Sequence, residues 1–67
     1  MTSKEKVLAK YPEADYLNRR MMGATFYIIV VSRDRRLVLG EAIGSVGKAW
    51  TNARKRMVAG DEPYLLR

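Results

Sequence analysis

The spacing of apolar residues changes several times along the chain, and its first pattern predicts a short helix. Apolar residues within 7–11 fall at helical spacing, behind Thr2 and Glu5, which fit a capping box. Pro12 disfavours helical geometry at the residue before it, so this helix should end near residue 10 or 11.

Three consecutive segments then have the composition of β-strands. Residues 13–22 alternate weakly, whereas residues 25–31 are β-branched and aromatic without a breaker. Gly23 separates these two as a turn or bulge, and residues 32–36 form a polar connector of hairpin length. Residues 36–42 give the third strand.

A second helix is predicted between Ser45, a good N-cap, and Gly60, which suits a C-terminal cap. Gly40, in the strand before it, predicts either a bulge or a close backbone approach. Five residues of this helix follow the spacing of one buried face: Val46, Ala49, Trp50, Ala53 and Met57. Trp50 is therefore expected in the core.

The order helix, strand, strand, strand, helix predicts an α+β domain (α-β-β-β-α). Its simplest architecture is a three-stranded antiparallel sheet with two helices packed on one face. Residues 1–67 form a single small domain in this interpretation, with 61–67 as a C-terminal tail.

The central strand is apolar on both of its faces. A sheet covered on one side alternates apolar and polar residues, so the second face should have a cover. The alternatives are the folded-back tail, a second copy of the chain, a partner protein, or partial exposure without any cover. We take Tyr27, Ile29 and Val31 as the candidate interaction face.

The composition argues against an enzyme and against a metal or cofactor site. Among 67 residues there is neither a cysteine nor a histidine, which removes the usual thiol nucleophile, general base and metal ligands. We therefore expect a non-enzymatic protein without cofactors.

The chain is expected to be soluble and cytoplasmic. Its first residues contain no apolar signal-peptide core. The longest apolar run, residues 24–31, is far shorter than the roughly 20 residues that span a bilayer as a helix.

Basic residues exceed acidic ones by thirteen to seven, a formal net charge of +6. Such an excess favours an anionic partner, with nucleic acid foremost. The alternative is that each cation is structural, complementing a helix dipole or guarding a strand edge. The candidate phosphate-binding residues lie on the hairpin and the second helix: Arg33, Arg35, Arg36, Lys48, Arg54, Lys55 and Arg56.

The element order and the segment "GSVGKAWTNA" resemble double-stranded RNA-binding domains. Gly44, Ser45 and two alanines of the second helix match that family in type and spacing. The resemblance implies the α-β-β-β-α fold and RNA binding. The family's paired lysines, however, would fall at Val46 and Gly47, which carry no charge, and only Lys48 is close by.

The segment "LGEAIGSVGKAWTNARKRM" also resembles the C-terminal half of small phage and prophage proteins. Those proteins have a strand ending in Gly and a helix with an Ala-Trp pair and a later Ala; the matching residues here are Leu39, Gly40, Ala49, Trp50 and Ala53. This likeness implies a phage or prophage origin.

Two functions are thus predicted. The first is a binding module that contacts the phosphates of DNA or RNA with little sequence readout. The alternative is a protein-interaction module, either a homodimer or an inhibitor of a host protein, that uses the apolar sheet face.

Overall fold

The computed structural model describes residues 2–31 and 37–65. The predicted α+β class and the order of its first five elements are confirmed. The elements are α1 (Ser3–Lys10), β1 (Ala14–Met21), β2 (Ala24–Val31), β3 (Leu37–Ile43), α2 (Val46–Ala59) and β4 (Tyr64–Leu65).

Within the described residues the sheet has four antiparallel strands in the order β1-β2-β3-β4, one more than the three predicted. The tail supplies the fourth strand, with Leu65 opposite Leu37 and Tyr64 opposite Val38. An aromatic and a branched aliphatic residue suit strand geometry, and β3 offers them its outer edge. The described part of the tail therefore lies at an edge of the sheet.

The predicted capping box at the start of α1 is present. The Thr2 hydroxyl accepts a hydrogen bond from the Glu5 N–H (3.2 Å), and the Glu5 carboxylate accepts one from the Thr2 N–H (3.5 Å). These bonds satisfy main-chain donors that the helix itself cannot pair. They favour a helix of only eight residues, which would be marginal in isolation.

The end of α2 also follows its prediction. Gly60 has a φ of +81°, and its N–H donates to the Met57 carbonyl (3.2 Å). The next N–H, of Asp61, donates to the Arg56 carbonyl (2.9 Å), which completes a Schellman motif. Ser45 occupies the N-cap position, but its side chain makes no capping bond.

Both helices pack on one face of the sheet and share one core cluster with it. Its buried members are Val7, Ile29, Leu39, Ala49, Trp50 and Ala53. The prediction that Trp50 belongs to the core is confirmed. We call α1 and α2 together the helix layer.

Gly40 is the point where α2 comes closest to the sheet. A Cβ atom added to Gly40 would lie 2.5 Å from the Ala53 backbone nitrogen and 2.6 Å from its Cα. Just before it, the register with β2 shifts, since Ile29 pairs with Gly40 but Val30 pairs with Val38, leaving Leu39 as an extra residue. Both features predicted for Gly40, a bulge and a close approach, thus occur together.

The helix layer covers the face that the sequence analysis assigned to interaction. Ile29 is 0% exposed in the helix-side cluster, and Tyr27 and Val31 pack against that cluster. The assignment of these residues as an open face was therefore wrong. Both faces of β2 are apolar, so β2 alone does not identify the covered side; Gly40, opposite Ile29, does so by admitting α2.

The opposite face of the sheet carries a second, smaller cluster. Ile28, Val30 and Val38 are buried there, with Leu17 packed against them. Cross-strand pairs share a face, so this side also carries Glu41 and Arg19, which lie opposite Ile28 and Phe26. We call it the outer face.

A two-residue turn joins β1 to β2. Met22 has a φ of +52° and Gly23 a φ of +79°, as a type I′ hairpin requires. The first of these positions normally holds Asn, Asp or Gly, because other side chains are strained there. Met22 is fully solvent-exposed, so no packing contact compensates this strain.

Alanine substitutions at Gly40 and Gly47 should have opposite effects on stability, because only Gly40 lies against the main chain of another element. Gly40→Ala should lower the free energy of unfolding by about 1–3 kcal/mol, because the new methyl group would meet main-chain atoms. Gly47→Ala, within α2 and without a close neighbour, should raise it by roughly 0.5–1 kcal/mol. Urea melts of both variants measure the free energy of unfolding. Equal changes in the two variants would contradict the close packing at Gly40.

The strained turn predicts that Met22→Asn stabilises the protein. Asn tolerates the left-handed conformation, so the free energy of unfolding should rise by about 1 kcal/mol. The control is Met21→Asn, one residue earlier in extended β1 backbone, which should give no gain. A stabilisation of the same size in both variants would show that turn strain is not the cause.

Candidate nucleic-acid interface

The four predicted basic residues of α2 separate into two pairs. Lys48 and Lys55 are exposed, whereas Arg54 and Arg56 are half-buried. Lysines seven residues apart lie on one side of the helix, about 10 Å apart along its axis. Only the lysine pair presents its charge fully to solvent.

Arg54 connects the two helices. Its Nε donates a hydrogen bond to the Ser3 hydroxyl at 3.0 Å, across 51 residues of sequence. This contact holds the start of α1 against α2. Arg54 therefore contributes a cation to the helix layer and also fixes its geometry.

Arg56 connects α2 to the tail. Its guanidinium carbon lies 5.2 Å from the Tyr64 ring centroid, and one terminal nitrogen donates to the Glu62 carbonyl at 3.3 Å. Its Nε is buried and, within the described residues, has no hydrogen-bond partner. Arg56 thus holds β4 against the end of α2.

A groove of about 270 Å³ runs between α2 and the outer edge of β3. Across it, the Glu41 N–H donates to the Asn52 side-chain oxygen at 3.1 Å; within α2, the Thr51 hydroxyl donates to the Gly47 carbonyl at 3.0 Å. These bonds use the side-chain oxygens of Asn52 and Thr51 within the fold. The groove is lined by Glu41, Ala42, Lys48, Thr51, Asn52 and Lys55.

Tyr64 lies beside the Glu41 carboxylate. Burial raises the pKa of the Tyr64 phenol, and the charge and hydrogen bond of Glu41 raise it further, against the opposing effect of Arg56. The neutral phenol is therefore the form that the folded protein favours.

The helix layer also carries three lysines of α1, which the sequence analysis did not include among the candidate phosphate-binding residues. Lys4, Lys6 and Lys10 are exposed, and the Lys4 ammonium lies 5.8 Å from the Trp50 ring centroid on α2. Counting the charges of each predicted helix would have identified these lysines from the sequence. The packing of α1 against α2 is a long-range contact that the sequence did not indicate.

The whole net charge of the chain resides in the helix layer. Its two helices carry seven basic side chains and one acidic one, Glu5. The rest of the chain has six of each sign, so it is formally neutral. The excess of positive charge is therefore concentrated on the two helices.

The predicted hairpin arginines, Arg33, Arg35 and Arg36, lie outside the described residues. Within 2–31 and 37–65, His, Cys, Asp and Glu side chains form no group of three or more that could hold a metal ion. No helix in those ranges is long and apolar enough to cross a membrane.

The chain matches no protein-family model, no curated protein and no solved structure with significance. The resemblances to double-stranded RNA-binding domains and to phage proteins stay predictions.

The environment of Tyr64 predicts a loss of stability at high pH that Tyr64→Phe reduces. Folding raises the pKa of the Tyr64 phenol. The protonated phenol therefore gives its full contribution to stability below the ordinary tyrosine pKa of about 10, and this contribution is lost as the pH rises through the higher pKa of the folded protein. Unfolding free energies measured between about pH 8 and 11 should fall more steeply for wild type than for the variant. Tyr16→Phe is the matched control. Parallel curves for wild type and Tyr64→Phe would contradict the assignment.

Proposed function

We propose that the protein binds nucleic acid through the phosphate backbone, with the helix layer as its contact surface. The observation that carries this proposal is the segregation of charge: the net +6 lies on two adjoining helices, and the remaining residues are balanced. Charge that serves only solubility can be spread over the whole surface, whereas a surface that binds a polyanion needs its cations close together.

The way the layer is held together supports the same function. The bond from Arg54 to Ser3 and the shared core around Trp50 hold the two helices in one arrangement. Lys48 and Lys55 on α2, together with the lysines of α1, then act as cations on a common support. Ammonium groups on long stems suit phosphates as point charges.

Little in this surface suits the reading of base sequence. Specific readout relies on paired donors and acceptors directed at base edges. In the α2 groove the Thr51 hydroxyl already donates, and the Asn52 side-chain oxygen already accepts, a hydrogen bond within the fold, and the start of α2 carries Val46 and Gly47. The proposed binding therefore depends on charge and has low sequence specificity.

Charge reversal at one exposed site tests the proposal. Lys55→Glu should weaken binding to a short duplex by about tenfold and lower the slope of log affinity against log salt by about 1. Arg20→Glu is the matched control, because it makes the same charge change at an exposed position on β1. Its salt slope should stay near that of wild type.

Fluorescence anisotropy with duplex DNA and duplex RNA of equal length provides the measurement. Absence of binding to both at about 50 mM salt would refute the proposal. Equal losses for Lys55→Glu and Arg20→Glu would show that only the overall charge matters and would reject the helix layer as the contact surface. Preference for one duplex would identify the nucleic-acid type.

A further inference from the structure

We propose that the protein forms a symmetric dimer by antiparallel pairing of β1 with β1 of a second copy. The inference rests on the sheet edge and is independent of the proposed nucleic-acid binding. Four steps lead to it: the state of the edge, the direction of its main-chain groups, the self-complementarity of its charges, and the placement of the helices.

The two edges of the sheet differ in their protection. At one edge, the short β4 pairs with the start of β3, and Asn52 bonds the N–H of Glu41 farther along. The other edge is β1, eight residues long. Its outer side has one comparable side-chain bond, from the Tyr16 N–H to the Asp15 carboxylate, and within the described residues no strand pairs with it. Long unprotected edges favour strand addition.

The outward main-chain groups of β1 belong to its even-numbered residues. In a two-residue hairpin the pair next to the turn, Met21 with Ala24, is hydrogen-bonded, so odd-numbered residues of β1 bond to β2. The hydrogen bond of the Tyr16 N–H is consistent with this pattern, because this N–H donates to the Asp15 carboxylate (2.8 Å) and not to β2. Tyr16 and Asn18 are thus the central residues available to an added strand.

Side chains on the outer face of β1 are complementary to themselves. Asp15 lies two residues before Leu17, and Arg19 lies two residues after it. A two-fold axis through Leu17 places each Asp15 opposite Arg19 of the second copy and the two leucines opposite each other. Opposite-charge and apolar cross-strand pairs both stabilise a sheet.

The neighbouring symmetric registers lack this match. An axis at Tyr16 would place Asp15 opposite Leu17, and an axis at Asn18 would place Arg19 opposite Leu17. Each of these registers opposes even-numbered residues, so main-chain bonding is possible in all of them. The axis at Leu17 is favoured because, within β1, it alone pairs Asp15 with Arg19 and leucine with leucine, while Tyr16 and Asn18 bond reciprocally. In this register the Tyr16 N–H exchanges its bond to Asp15 for one to the second copy.

The axis is perpendicular to the sheet, so both helix layers lie on the same side of a sheet twice as wide. On the outer face, the two Leu17 side chains join the Ile28 clusters of the two copies. Apolar contact thus continues across the interface.

Sedimentation equilibrium over a range of protein concentrations, without nucleic acid, tests the dimer. Wild type should dimerise reversibly. Arg19→Asp places two carboxylates opposite each other, and Asp15→Arg places two guanidinium groups opposite each other. Because symmetry makes each substitution act twice, each should raise the dissociation constant by at least about tenfold.

Mixing the two variants is the decisive step. Asp15→Arg and Arg19→Asp chains are complementary in this register, so an equimolar mixture should form a heterodimer although each chain alone dissociates. A wild-type monomer at every soluble concentration would overturn the proposal. So would a dimer insensitive to both substitutions, or variants that fail to associate when mixed.

Amide hydrogen exchange on wild type gives a readout that needs no variant. The amides of Asn18 and Arg20 should become protected as protein concentration rises. Protection that does not depend on concentration would contradict pairing through β1, whatever the variants do. Duplex affinity of Lys55→Glu is measured separately, so failure of either proposal leaves the other tested on its own.

Discussion

The contact between Gly40 and Ala53 is the constraint on which the other features depend. A helix normally rests on a sheet through its side chains, but here the main chain of α2 reaches the main chain of β3 because Gly40 has no Cβ. Ala53, 2% exposed, is small enough to allow the same approach. This proximity lets Trp50 fill the space beside the contact, and Val7 of α1 packs in the same cluster. Two small residues thereby determine which face of a uniformly apolar strand is covered.

The position of α2 in turn determines which charges act together. With its apolar side on the sheet, Arg54 reaches α1 at Ser3 and Arg56 reaches the tail at Tyr64. Those arginines organise the helix layer, while Lys48 and Lys55 stay exposed beside the free part of β3. On α2, Arg54 and Arg56 make structural contacts, whereas Lys48 and Lys55 are the cations that the proposed phosphate contact would use.

Local features of the fold were predictable from the sequence, whereas most of those that depend on long-range packing were not. Capping by Thr2 and Gly60 involves residues close in sequence, so their patterns were sufficient. The covered face of β2 was assigned wrongly because its alternation is symmetric; the strand pairing that opposes Gly40 to Ile29 was needed. β4 has only two residues, too few for a periodic signal. The helix-layer cations were found on α2 alone, because the packing of α1 beside it is a tertiary contact.

The same arrangement separates the two proposed interfaces. Phosphate contact would use the helix layer, whereas strand addition would use the edge of β1, and a sheet edge remains accessible when one face is covered. A two-fold axis perpendicular to the sheet keeps both basic layers on one side, so pairing enlarges the cationic surface instead of dividing it. If two linked sites contact one duplex, the second contact is intramolecular and affinity rises without any new type of interaction. Each β1 edge carries Asp15, Arg19 and Arg20, a net charge of +1, so most of the mutually repelling cations stay on the helices, away from the edges that meet.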